Sequence, residues 1–166
     1  MSREDAEKMF REMRRSRQQL SRGESRAVLE RGSAGVLAVL GDGGYPYAVP
    51  LSYVYSGGKI YFHCAKEGHK IDALRGCSKV SFCVVDQDQI VPEEYTTYFR
   101  SVIAFGQARI LEKDAEKKEA ALLLAEKYCP QQREGWENAI AKSWASLCIV
   151  EITIEHMTGK QARELL

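Results

Sequence analysis

The chain has 166 residues, 45% apolar and 28% charged, with a formal net charge of +1. That is one domain's worth of ordinary globular composition, long enough to bury a core without disulfides or metal. A balance so close to neutral excludes the strongly basic footprint of a dedicated nucleic-acid binder. There is no run of 18 apolar residues for a membrane-spanning helix, and the charged N-terminus has no apolar core of a secretory signal.

In chain order, the first thirty residues read as helical. They are rich in arginine in "REMRRSRQQLSRGESR", which reads as a solvated arm or helix face. Ser21 and Glu24 have the spacing of a capping box, and Gly32 stands where a helix ends. "AGVLAVL" (34–40) predicts a strand and "GDGG" (41–44) a turn. "YPYAVPLSYVYS" (45–56) is rich in strand formers but carries Pro46 and Pro50. Prolines cannot donate to a central ladder, so this piece should be an edge or bulged strand with free backbone groups. The glycines at 57 and 58 predict a tight hairpin into "KIYFHCA" (59–65).

A short helix follows over about 68–75, a strand over 79–86, a polar loop over 87–95 and a long strand over 96–111, with Gly106 marking a bulge or close approach. Residues 114–128 form an amphipathic helix, 133–142 a second helical piece and 146–159 the last strand. The reading is mainly β (α+β): a six-stranded antiparallel barrel with flanking helices. Residues 1–32 are expected to form a helical arm, 33–160 the barrel domain and 161–166 a tail. The five cysteines are odd in number and lack C-x-x-C spacing. They read as reduced thiols, which predicts a cytoplasmic protein.

The chemistry concentrates in "AKEGHKIDAL" (65–74). Gly68 can take positive φ, and the helix after it presents unpaired N–H groups at the positive end of its dipole. His69 and Lys70 in the first turn are unfavourable there unless an anion shares their charge, which is the recipe for a phosphate site. A solvated first turn is the plain alternative. No Walker or dinucleotide glycine motif is present. A zinc site from His63, Cys64 and His69 lacks a second ligand pair at metal-site spacing.

The segments "RGSAGVLAVLGDGGYPYAVPLSYVYSGGKIYFHCAKEGHKIDALRG", "FRSVIAFGQARIL" and "VEITIEHMTGK" follow one another in order. With them the chain, from about Met13 to Lys160, resembles the FMN-binding split-barrel family related to pyridoxamine 5′-phosphate oxidase, most of all its nitroimidazole-resistance branch. The resemblance implies a homodimer with FMN at the subunit interface. It implies that His63 and Ala65 line the flavin, that Gly68, His69 and Lys70 hold its phosphate, and that Pro50, Leu51, Ser52 and Tyr53 edge the ring through their backbone. Ser101, Val102 and Trp144 would be supplied by the partner subunit.

The activity it implies is an FMN-dependent oxidoreductase acting between a small-molecule electron donor and small electrophilic acceptors, with His63 as the catalytic proton donor. The alternative is a non-catalytic flavin- or haem-binding storage or sensing module, in which His156 would be the haem ligand. The Arg and His pattern for a vitamin substrate is missing from the ending "MTGKQARELL", so oxidation of pyridoxamine phosphate is not expected.

Overall fold

The computed structural model describes residues 9–166. Seven strands, β1 (Ala34–Leu40), β2 (Pro46–Ser52), β3 (Val54–Ser56), β4 (Lys59–Ala65), β5 (Lys79–Val91), β6 (Thr96–Ile110) and β7 (Leu147–Gln161), form one antiparallel sheet. Their order is β2-β1-β5-β6-β7-β4-β3. Four helices accompany them: α1 (Arg22–Arg31), α2 (His69–Gly76), α3 (Asp114–Tyr128) and α4 (Trp136–Ser143). Among the described residues no helix is long and apolar enough to cross a membrane.

The expected six strands are seven because the run 45–56 breaks at Tyr53. β2 and β3 stand at the two ends of the sheet order yet are joined by that single residue. The sheet must therefore curl until its ends meet, and no ladder bonds close the seam: the barrel is split. Tyr53 is fully buried, its hydroxyl donates to the Leu29 carbonyl at 2.8 Å, and its ring packs edge-on against Phe82. Its backbone finds a substitute for the ladder in Tyr128 at the end of α3. The Tyr128 oxygen accepts the Tyr53 N–H at 2.8 Å and lies 2.7 Å from the Tyr53 carbonyl and 2.6 Å from that of Ser33. One hydroxyl proton serves these two carbonyls in turn.

Of the helical reading of the first thirty residues, residues 1–8 lie outside the described part; beyond them Met9 is helical and the next helix begins at Arg22. Residues 16–18 make a 3-10 turn and the stretch around them is irregular. The capping box forms as predicted, with Ser21 accepting from the Glu24 N–H and Glu24 accepting from the Ser21 N–H. α1 packs on the sheet and buries Val28 and Leu29 completely. Gly32 has φ −62, so its role is space: a Cβ there would lie 2.6 Å from the Tyr53 hydroxyl. The polar segment 87–95 is not a loop. It continues β5 to Val91, turns at Pro92–Glu94 and returns as β6, with a bulge between Val85 and Gln87. Gly106 marks a bulge, and a Cβ on it would sit 2.2 Å from the Thr153 carbonyl.

The main core lies inside the curl, with Leu37, Ile60, Phe62, Ile71, Phe82 and Ile152 each at most 1% exposed. A second cluster, Val54, Leu111, Ala120, Ala121, Leu124 and Ile149, seats α3 on the outside of β4 and β7. On the opposite outer face, formed by β2, β1, β5 and β6, Phe10 packs against Phe105, and among the described residues much of the rest is exposed. There Val36 stands in register with Pro50 and Cys83, and Cys83 with Ile103. Val36, Val85, Ile103 and Phe105 are exposed, Val85 by 61%.

Candidate functional site

β4 delivers the chain to Gly68, which has φ +118 and ψ 167, a conformation open essentially to glycine alone. A Cβ at Gly68 would meet nothing within 4 Å, so the glycine is there for its backbone angle and not for close approach. The first bonds of α2 run from the Ile71 and Asp72 N–H groups to the Gly68 carbonyl at 2.9 and 3.1 Å. The N–H groups of His69 and Lys70 therefore lie ahead of the ladder, at the positive end of the helix dipole. Ile71 and Leu74 anchor the helix in the core while Lys70 stays half-buried at the rim.

The β1–β2 turn folds onto this corner. The His69 ring stacks on Tyr47 with centroids 4.1 Å apart, and its Nε2 accepts the Asp42 N–H at 3.3 Å. The His69 side chain is thereby committed to the turn through Nε2, leaving its Nδ1 as the ring's donor. Tyr47 and Asp42 were not singled out by sequence reasoning; the "GDGG" turn was the only signal of them.

β2 touches β4 across the seam. The Gly41 N–H bonds to the Tyr45 carbonyl at 2.8 Å, which sets the register of the β1–β2 ladder. In that register Pro46, Ala48, Pro50 and Ser52 turn their backbone groups away from β1 towards the free edge. Both prolines thus occupy positions whose missing N–H would have no ladder partner. Of the four residues expected to offer backbone groups, Pro50 (carbonyl) and Ser52 (both groups) have them free. Leu51 is bonded to β1, and Tyr53 is saturated by Tyr128.

His63 and Ala65 are exposed and lie on one face of β4, opposite Ile149 and Leu147 of β7. Between them Cys64 pairs with Cys148 across the strands; burial pushes its thiol up to about 12, with the neighbouring Cys148 adding to the effect. Pro50–Ser52 on β2 and His63–Ala65 on β4 thus belong to strands that touch across the seam, and β4 runs on towards Gly68–Lys70.

Ser101 and Val102 are elsewhere, on β6, opposite Lys160 and Gly159. Ser101 is half-buried, and Val102 is fully buried in the core. Trp144 caps the end of α4, its ring under Lys117 Nζ at 4.2 Å. It lines a concavity of about 410 Å³ with Lys66, Arg75 and Cys148. His156 lies flat against Phe10, centroids 4.6 Å apart, and burial lowers its pKa.

Electrostatics elsewhere are structural. Glu151 on β7 is 4% exposed; burial would raise its pKa, but bonds from Arg109 (2.8 Å) and Lys59 (3.1 Å) outweigh this and hold it low. Asp86, at the β5 bulge, is held low by the Arg31 guanidinium, with Arg100 contributing.

The fold recurs in solved structures. A candidate 5-nitroimidazole antibiotic resistance protein from Bacteroides thetaiotaomicron superposes with a TM-score of 0.71 at 19% identity, covering 86% of each chain. A FAD-binding protein from Mesorhizobium loti gives 0.63 at 27% identity, over 87% of this chain and 96% of that one. A flavocytochrome from Azotobacter vinelandii gives 0.78 at 18% identity, over 91% and 72%. No curated protein matches the chain in sequence. Residues 21–161, from the α1 cap to the end of β7, match the profile of a family described as pyridoxamine 5′-phosphate oxidase, and the chain belongs to that family.

Proposed function

We propose that this protein is a homodimeric FMN-binding oxidoreductase that moves electrons from a small-molecule donor to small electrophilic acceptors of the nitroaromatic or quinone class. The observation that carries this reading is the Gly68–Lys70 corner, a glycine-started helix N-terminus with a lysine in its first turn, set beside the free edge of β2. The flavin-binding relatives of the same fold support it.

The residues present fit such a group. Lys70 and the His69 and Lys70 N–H groups would hold the phosphate. The Pro50 carbonyl and the Ser52 N–H and carbonyl would meet the donors and acceptors along the ring edge. The flavin, when bound, supplies the redox chemistry, and the protein supplies position and access. His63, exposed on β4, would deliver a proton to the reduced acceptor, a task suited to an imidazole near neutral pH.

The exposed apolar stripe on β1, β5 and β6 is the face for the second subunit. Ser101 and Val102 flank this stripe on β6 and would approach the cofactor only from the partner, Val102 through its surroundings rather than its buried side chain. Trp144 lies beside its own subunit's Lys66 and would wall the corner from there.

The test is a visible absorbance spectrum of the dialysed protein with mass identification of the released chromophore. A flavin spectrum and the mass of FMN are expected. A colourless protein that takes up no added FMN would overturn the reading.

A further inference from the structure

At the far end of β7 from the Gly68 corner, two pieces from opposite ends of the sequence converge. The N-terminal arm is pinned there by the Gln19–Lys160 bridge and by the Leu20 N–H bonding to the Gly159 carbonyl at 2.9 Å. Gly159 makes room for it: a Cβ at that position would lie 2.5 Å from Ser25 Oγ and 2.7 Å from Leu20. The C-terminal 3-10 turn (Arg163–Leu165) is held alongside by the Ala162 N–H bonding to the Phe99 carbonyl at 2.8 Å. Between the two lies a basin of about 570 Å³ walled by Arg14, Arg15, Arg17 and Arg163, with Ser16 and Gln18.

Four arginines line one concavity, with Leu166, in a chain whose net charge is only +1, so the concentration is local and not a consequence of bulk composition. None of the four forms an ion pair with a described carboxylate. Like charges held together raise the energy of the folded state unless an anion offsets them. Arginine forks match phosphate oxygens in pairs, which lysine does not.

A second feature of the same wall is an unsatisfied acceptor. Gln18 is 5% exposed, and its Oε1 has no hydrogen-bond partner. Buried acceptors are normally paired, but this oxygen has essentially no exposed surface and is not open to a ligand in the basin.

We infer that this basin is a binding site for a small polyphosphate anion, separate from the Gly68 corner. Arg14, Arg15, Arg17 and Arg163 hold the phosphate oxygens. The volume is that of a small-molecule site, and a single basin on a near-neutral chain does not make the extended basic track of a nucleic-acid surface.

The test is calorimetric titration of the full chain, saturated with FMN, with ADP, inorganic pyrophosphate and adenosine. ADP is expected to bind with one site per chain and adenosine not at all. Arg15→Ala and Arg163→Ala should each weaken ADP about tenfold or more, the loss of a charge-assisted bond. Arg15→Lys should recover part of it. Thermal unfolding of each variant checks that the fold is kept, and Lys70→Ala, which lies in the other site, should leave ADP binding unchanged. ADP binding tenfold tighter than pyrophosphate assigns a nucleotide; equal affinities assign free diphosphate to the same site. No binding of either anion, binding indifferent to both Arg→Ala changes, or a short RNA held far more tightly than ADP would overturn the proposal. A protein that holds no FMN but binds ADP would sink the flavin reading and leave this one standing.

Discussion

Gly68 shows how one backbone angle can support a site. Its φ of +118 lies where a side chain is strained, although there is free space around it. Gly68→Ala is therefore expected to destabilise the fold by about 1–3 kcal/mol and to weaken FMN retention by tilting the first turn of α2. Urea unfolding and flavin titration read the two effects separately. Lys70→Ala should spare stability and weaken FMN by about tenfold to a hundredfold, the worth of one charge-assisted phosphate bond. FMN retention identical to the parent would remove Lys70 from the phosphate site. His63→Ala is expected to lower turnover with a model nitroaromatic more than it lowers flavin affinity; an equal fall in both would make His63 a binding residue only. "EGHK" displayed the glycine, the helix start and the lysine in the sequence itself. It could not show that Nε2 of His69 is engaged by the Asp42 N–H, because that contact joins residues 27 apart.

Among the elements, α3 does the most to hold the seam. Its last residue, Tyr128, supplies the hydrogen bonds that Tyr53 loses where β2 gives way to β3. Tyr128→Phe leaves a buried N–H and carbonyl without partners and should cost about 1–3 kcal/mol, measured by denaturant unfolding. A change within 0.3 kcal/mol would mean that water replaces the hydroxyl. Lys127, on the same turn, adds a bond to the Gly32 carbonyl and covers the Tyr53 ring. The β5 bulge is tied to α1 by Asp86 with Arg31 and Arg100. The Asp86 carboxyl is lowered by folding, so its contribution is present above the unfolded carboxylate value, about 3.9, and is lost as pH falls through the folded value. Asp86→Asn should therefore flatten the stability profile on the acid side, lowering stability at pH 7 while leaving it little changed below pH 3. The amphipathic helix at 114–128 was legible from its apolar spacing, and its bounds match the structure. The strand at 87–91 was not, since its polar residues are ordered by pairing with β6 and not by burial.

At the scale of the whole molecule, the curl of the sheet sets what each face can do. The inside is filled, α3 covers the outside of β4 and β7, and the β1–β5–β6 face is apolar and largely exposed. Val85→Glu, placed on the most exposed residue of that stripe's centre, should convert a dimer to a monomer in light-scattering chromatography and reduce FMN retention with it. A dimer unaffected by the change would place the interface elsewhere. The Arg-lined basin belongs to this scale as well, because Arg14–Arg17 and Arg163 are separated by nearly the whole chain.

Alternation, turn glycines, proline placement and capping residues are local properties, so the strands of the first half, the Gly68 helix start and the edge character of β2 could be read in the sequence itself, as could the family likeness carried by its motifs. Which strand lies beside which is decided by long-range pairing. Only the tertiary structure shows that the sheet splits at Tyr53, that β5 and β6 run on through polar residues, that Leu51 and Tyr53 have no backbone groups left to offer, and that the two arginine-bearing ends meet at one basin. Each of these depends on residues distant in sequence being brought together by burial of the common core, and that burial leaves no periodic mark on the segments it joins.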